Sequence, residues 1–231
     1  MNGISHLQAF GRLFYPASCA SCSSALLLQE KYICTMCQIT LPVSNYHQMK
    51  INPMDSLLKL RMRVDFISSY LLYDKGLSTQ NILHSIKYNG NKLLAYHLGL
   101  LYGLEIKASF EHFPDYIVPV PLHKRKQRQR GFNQSEFWAN GLAGSLGVPS
   151  LTDSLVRTKF TKTQTRKTRE ERIKNVSNVF SVKNKELIKG KSILLVDDVI
   201  TTGATLEACG NELWNAGIRS LNIATIAFAV K

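Results

Sequence analysis

Apolar positions along the chain follow two periods, and their alternation predicts an α/β fold. Short runs rich in branched and aromatic residues, at 64–73, 116–120, 192–196 and 221–230, read as buried strands. Between them, apolar residues at helical spacing predict helices over 77–87, 93–104 and 134–146, with Gly90 separating the first two and Gly147 as the C-terminal cap of the third. A further helical pattern begins with Leu206, Cys209, Leu213 and Trp214. Ile4, Leu7, Phe10 and Leu13/Phe14 recur with the same period, so a short amphipathic helix is expected to open the chain. Strands alternating with helices imply a doubly wound, mainly parallel sheet. That region is expected to span 51–231, preceded by a small module over 1–50 that ends in a polar stretch around Asn45 to Asn52.

One strand carries more than its share of chemistry. Residues 193–205 read Ile-Leu-Leu-Val-Asp-Asp-Val-Ile-Thr-Thr-Gly-Ala-Thr. Two acids stand where the apolar strand is expected to end, and five small residues separate them from a helix. A strand, a tight loop and a helix N-terminus aim backbone N–H groups at one point, with the helix dipole behind them, which suits a phosphate monoester. Thr201, Thr202 and Thr205 add hydroxyl donors, Ala204 is small, and Gly203 lets the backbone approach the anion. Asp197 and Asp198 would repel that phosphate and instead suit hydroxyls a few ångströms away. A phosphate cradle beside a diol reader describes a ribose 5-phosphate. No Gly-Lys-Ser/Thr is present to make this a P-loop. The run resembles the signature of type I phosphoribosyltransferases, which use phosphoribosyl pyrophosphate (PRPP). That resemblance implies that Asp197 and Asp198 hold the ribose hydroxyls, and that Thr201, Thr202, Gly203, Ala204 and Thr205 hold the 5-phosphate.

Composition narrows the setting. The 231 residues are 45% hydrophobic and 19% charged, with no apolar run long enough for a membrane helix and no signal-peptide pattern, so a cytoplasmic protein is expected. The net charge of +13 predicts polyanionic company, either pyrophosphate or nucleic acid. Cys19-x-x-Cys22 and Cys34-x-x-Cys37 have the spacing of two knuckles around one structural Zn²⁺, with two disulfides or an iron–sulfur centre as alternatives. Cys209, on the helix after the phosphate loop, reads as core.

Two basic segments remain. Lys124 to Arg130 place five cations in seven residues between a strand and a helix, where an α/β sheet binds ligands. Arg157 to Lys174 carry eight basic residues against two acidic ones and read as a mobile loop. By itself each would be a solvated charge run or a nonspecific nucleic-acid patch. Their order is informative: Pro-Val-Pro-Leu-His, the basic run and Arg-Gly-Phe-Asn-Gln come first. Arg-Thr-Lys, Thr161, Gln164-Thr165, Arg172, Asn175-Val and Phe180 follow, and then the PRPP run. With Lys87-Tyr88-x-Gly90 and the cysteine module, this resembles the ComF family of phosphoribosyltransferase-like proteins. Thr163 stands where that family often has Pro. The resemblance implies that Lys124, Arg125, Arg128 and Arg130 approach the pyrophosphate, and that a flexible loop bearing Gln164 and Arg172 covers the site. It also implies Mg²⁺ bound with PRPP, and an association with DNA uptake in which single-stranded DNA and the uptake machinery are partners. The acceptor cannot be read from the residues. An enzyme, a DNA-handling protein with a regulatory PRPP site and a PRPP sensor all remain open.

Overall fold

The computed structural model describes residues 17–73, 77–158 and 179–229. The first helix among the described residues, α1 (Thr35–Thr40), belongs to the cysteine module, and a 3₁₀ turn (Tyr46–Gln48) and α2 (Asp55–Leu58) lead into the sheet. Then come β1 (Phe66–Tyr73), α3 (Leu77–Tyr88), α4 (Lys92–Ile106), β2 (Tyr116–Pro119), α5 (Lys124–Arg130) and α6 (Gln134–Leu146). A small antiparallel pair, β3 (Leu155–Arg157) with β4 (Phe180–Val182), precedes α7 (Lys185–Ile188). β5 (Ser192–Ile200), α8 (Ala204–Asn215) and β6 (Ser220–Ala229) close the described chain.

The main sheet has order β1-β6-β5-β2, and each of its pairings is parallel. Successive residues of β5 serve opposite faces, as the period of two requires. Leu194 and Val196 join the core formed with α3, α4 and α6, while Ile193 and Leu195 join the core formed with α2 and α8. Helices therefore cover both faces, which confirms the doubly wound sheet. α4 and α6 cross at backbone contact: a Cβ on Gly141 would lie 2.1 Å from the Tyr96 carbonyl oxygen. That crossing fixes where α6 begins, and its first residues enter the site described below.

Two expectations change. The strand does not stop before the acids, because β6 supplies backbone partners as far as Ala227 and Phe228, so Asp197 and Asp198 lie inside β5. The basic run at 124–130 is a helix rather than a loop. The His123 side chain accepts from Arg125 N–H at 3.1 Å at one end, and at the other Gly131, at φ +80°, donates its N–H to Gln127 O at 2.7 Å. The cysteine module packs on the core of α3, α4 and α6: Cys19, Ile33 and Leu41 lie in the same cluster as Leu83, Leu98 and Trp138. Residues 42–44 also run along β1, with Leu72 N–H donating to Pro42 O at 2.8 Å and Ser44 N–H to Tyr70 O at 2.9 Å. The expected opening helix and the loop bearing Gln164 and Arg172 lie outside the described residues.

Candidate functional site

The C-terminal edge of the parallel sheet gathers the residues singled out from sequence. Asp197 Oδ1 accepts from Ser135 Oγ at 3.0 Å and from the Asp198 backbone N–H at 2.8 Å. Asp198 Oδ2 accepts from Gln134 Nε2 at 2.6 Å and pairs with Lys87 Nζ at 3.1 Å. Asn133 caps α6 and points these donors inward: its Oδ1 accepts from Ser135 N–H at 3.2 Å, and its Nδ2 donates to Val120 O at 3.1 Å. Burial and the neighbouring Asp198 charge push the Asp197 carboxyl up to about 7. The two acids are unequal in surroundings. Each is held through one oxygen, but Asp198 is buried and engaged by a cation and an amide, whereas Asp197 is partly exposed and engaged by a hydroxyl and a backbone N–H.

Beyond β5, Thr201, Thr202, Ala204 and Thr205 are exposed around the start of α8, and no side chain caps that helix. Its first-turn N–H groups have no intrahelical partner, as at any helix N-terminus, and such groups suit an anion. Gly203 is required, though for a reason the sequence did not reveal. Its φ is +75°, and a Cβ there would meet Leu58 Cδ2 at 2.8 Å, so the close approach is to α2 below the loop.

The cations of α5 stand on the same edge, because β2 pairs with β5 and α5 follows β2 directly. Arg125, Lys126 and Arg128 are exposed, and the Arg130 guanidinium lies 5.3 Å from the ring centre of Tyr88, the neighbour of Lys87. Lys87, Gln134 and Ser135 had no role assigned from sequence. Lys87 and Gln134 occur in the stretches that carry the family resemblance and Ser135 directly follows one of them, but all three reach the acids across 62 to 111 residues of chain.

In the module, the four sulfurs of Cys19, Cys22, Cys34 and Cys37 lie within 4.8 Å of one another, and Cys22 Sγ and Cys34 Sγ are 3.8 Å apart. Tetrahedral Zn–S bonds of about 2.3 Å separate sulfurs by roughly 3.8 Å, so the donor set fits a metal ion. All four cysteines are free of disulfides. Backbone N–H groups of Cys34 and Cys37 donate to Cys19 Sγ at 3.3 Å and Cys34 Sγ at 3.5 Å, which helps to orient these two sulfurs. Glu30 fixes the loop between the knuckles by accepting from Thr35 N–H at 2.7 Å and Leu27 N–H at 2.8 Å; these bonds hold its carboxyl below the usual range.

The family model of the phosphoribosyl transferase domain matches residues 133–230, from the cap of α6 through the acid pair to β6. Competence protein F of Haemophilus influenzae is 35% identical over 117 residues, 50% of this chain and 51% of that protein. The chain is similar to proteins of the ComF type. DNA utilization protein YhgH of Escherichia coli K12 is 31% identical over 147 residues, covering 62% of this chain and 63% of that protein. Competence protein ComFC of Bacillus subtilis is 37% identical over 107 residues, 46% and 40% of the two chains. The matched regions thus span between two fifths and two thirds of these ComF-type relatives. The fold is that of type I phosphoribosyltransferases.

Proposed function

We propose that the chain binds PRPP together with Mg²⁺ at the β5–α8 edge, as a ComF-type phosphoribosyltransferase-like protein serving DNA uptake in the cytoplasm. One observation carries this reading: an acid pair held by Ser135, Gln134 and Lys87 stands one short loop away from an uncapped helix N-terminus. Asp197, the more exposed of the two, takes the ribose hydroxyls, and Asp198 anchors the pair. Thr201, Thr202, Gly203, Ala204 and Thr205 hold the 5-phosphate. Lys124, Arg125, Arg128 and Arg130 approach the pyrophosphate, joined by Gln164 and Arg172. In transfer, the bond from the anomeric carbon to pyrophosphate breaks with its electron pair on oxygen, and a nucleophile bonds to that carbon. The residues named orient the ribose and neutralise the departing charge. Mg²⁺ supplies further neutralisation on the pyrophosphate oxygens. A structural Zn²⁺ sits among Cys19, Cys22, Cys34 and Cys37, in a module ending near residue 50 that precedes the PRPP-binding region. No helix among the described residues is long and apolar enough to cross a membrane.

Calorimetry and thermal denaturation with PRPP and Mg²⁺ test the reading. Binding should raise the melting temperature by mass action, and replacing both acids by Asn should abolish the rise. A wild-type melting temperature unmoved by millimolar PRPP and Mg²⁺ would refute it. A pyrophosphate-release screen over nucleobases and ammonia then separates turnover from binding alone. A second reading, in which single-stranded DNA is the working ligand and PRPP regulates, is favoured by the exposed cations of α5 beside the exposed ring of Tyr88.

A further inference from the structure

Leu57 to Arg63 pass beneath the phosphate loop and then along α8, and nothing in the PRPP reading uses them. Leu57 and Leu58 fill the space left by the missing side chain of Gly203. Arg61 Nη1 donates to Thr202 O at 3.0 Å and lies 3.5 Å from Glu207 Oε2. Met62 packs against Gly210, where a Cβ would meet its sulfur at 2.6 Å. Arg63 accepts from Trp214 Nε1 through its carbonyl at 3.0 Å, and its guanidinium lies 5.4 Å from the Trp214 ring. Glu207, Gly210 and Trp214 are spaced three and four residues apart, so they form one stripe of α8. Arg61 is thus held at the N-terminal end of that stripe by the two residues that follow it.

We infer that Arg61 is a positioning residue for the 5-phosphate cradle, orienting the Thr202–Gly203 peptide and neutralising Glu207; this rests on the PRPP reading above. The peptide is planar and trans, so its carbonyl and N–H point in opposite directions. By drawing the Thr202 carbonyl to itself, Arg61 turns a repelling oxygen away from the anion and directs the Gly203 N–H to the opposite side. Glu207 stands in the first turn of α8. A carboxylate there favours the helix dipole but opposes a phosphate dianion arriving at the same end, and the Arg61 guanidinium cancels that charge. The pair is partly exposed, with side-chain accessibilities of 44% and 32%, so its contribution to folding is small and ligand binding is where it matters.

The test uses ribose 5-phosphate and inorganic pyrophosphate with Mg²⁺ as separate calorimetric probes of the two ends of the site. Arg61→Gln should weaken ribose 5-phosphate binding about tenfold, the scale of a lost charge-assisted contact, while pyrophosphate affinity and melting temperature stay at wild-type values. Adding Glu207→Gln in the same chain should restore most of the loss, a rescue that a purely structural role would not give. Wild-type ribose 5-phosphate affinity in Arg61→Gln, or no recovery in the double variant, overturns the inference alone. A wild-type protein that takes up neither PRPP nor ribose 5-phosphate overturns the PRPP reading and this inference with it.

Discussion

Asp197→Asn should stabilise the unliganded protein while destroying its ligand site, and the size of the gain should depend on pH. Asn keeps an oxygen where Asp197 Oδ1 accepts from Ser135 and from the Asp198 N–H, so the local geometry survives the change. What disappears is a carboxyl whose ordinary value of 3.8 is pushed up to about 7, first by burial and then by Asp198. The sign follows from proton counting. Between pH 4 and 7 the unfolded chain releases this proton and the folded chain retains it, so wild-type stability falls as pH rises through that window. At about 1.4 kcal/mol per pH unit, the gap has a ceiling of about 4 kcal/mol, and the partial exposure of Asp197 reduces it to about 2. For a chain of this size that is a melting-temperature advantage of roughly 4–8 °C for Asp197→Asn at pH 8, shrinking to nothing near pH 4. Thermal scans from pH 4 to 8 without PRPP or Mg²⁺ measure it directly. A difference that is constant with pH, or a wild type that melts higher at pH 8, would show that the acid pair carries no buried charge strain. With PRPP and Mg²⁺ present the order should invert, because only the wild type gains from the ligand.

Lys87→Met leaves Asp198 buried without its cation and should cost about 2–3 kcal/mol in urea denaturation at neutral pH; an unchanged midpoint would mean that Gln134 alone satisfies the carboxylate. Cys34→Ser should abolish retention of one zinc per chain by elemental analysis. It should also lower a single melting transition of the whole protein, since Cys19, Ile33 and Leu41 share the core of α3, α4 and α6; a separate low-temperature transition for the module would contradict that shared core. Single-stranded DNA should bind with a steep salt dependence that flattens when Arg125, Lys126, Arg128 and Arg130 are neutralised, and PRPP should compete for these cations. An affinity indifferent to salt, or to PRPP, would place the two ligands on separate surfaces.

The part of this site that the sequence displays is the part made by one continuous segment. Strand, acids, small-residue loop and helix lie within 193–215, so periodicity and residue type suffice to expect a ribose 5-phosphate cradle there. The cysteine cluster is legible for the same reason, because each knuckle is four residues long and thiolates have few other structural uses in that spacing. Everything that adjusts the site is non-local, and periodicity cannot report it. Lys87 meets Asp198, Gln134 and Ser135 meet the acids from the start of α6, and Arg61 meets Thr202 across 141 residues. Each reads in the sequence as an ordinary polar residue on a helix or turn. The helical state of Lys124 to Arg130 was hidden for a different reason: with no apolar residue in it, the segment has no amphipathic period, and only its caps, His123 and Gly131, mark its ends. Charge density made that stretch look like a loop. The same density, set on a short capped helix with Arg130 turned to Tyr88, gives the cations an ordered origin beside the acid pair. Asp198 is buried and held at Oδ2 by Lys87 and Gln134, whereas Asp197 is partly exposed. The two members of a dipeptide that look interchangeable in sequence are set by the fold in unequal surroundings, one buried and paired with a cation and the other partly exposed.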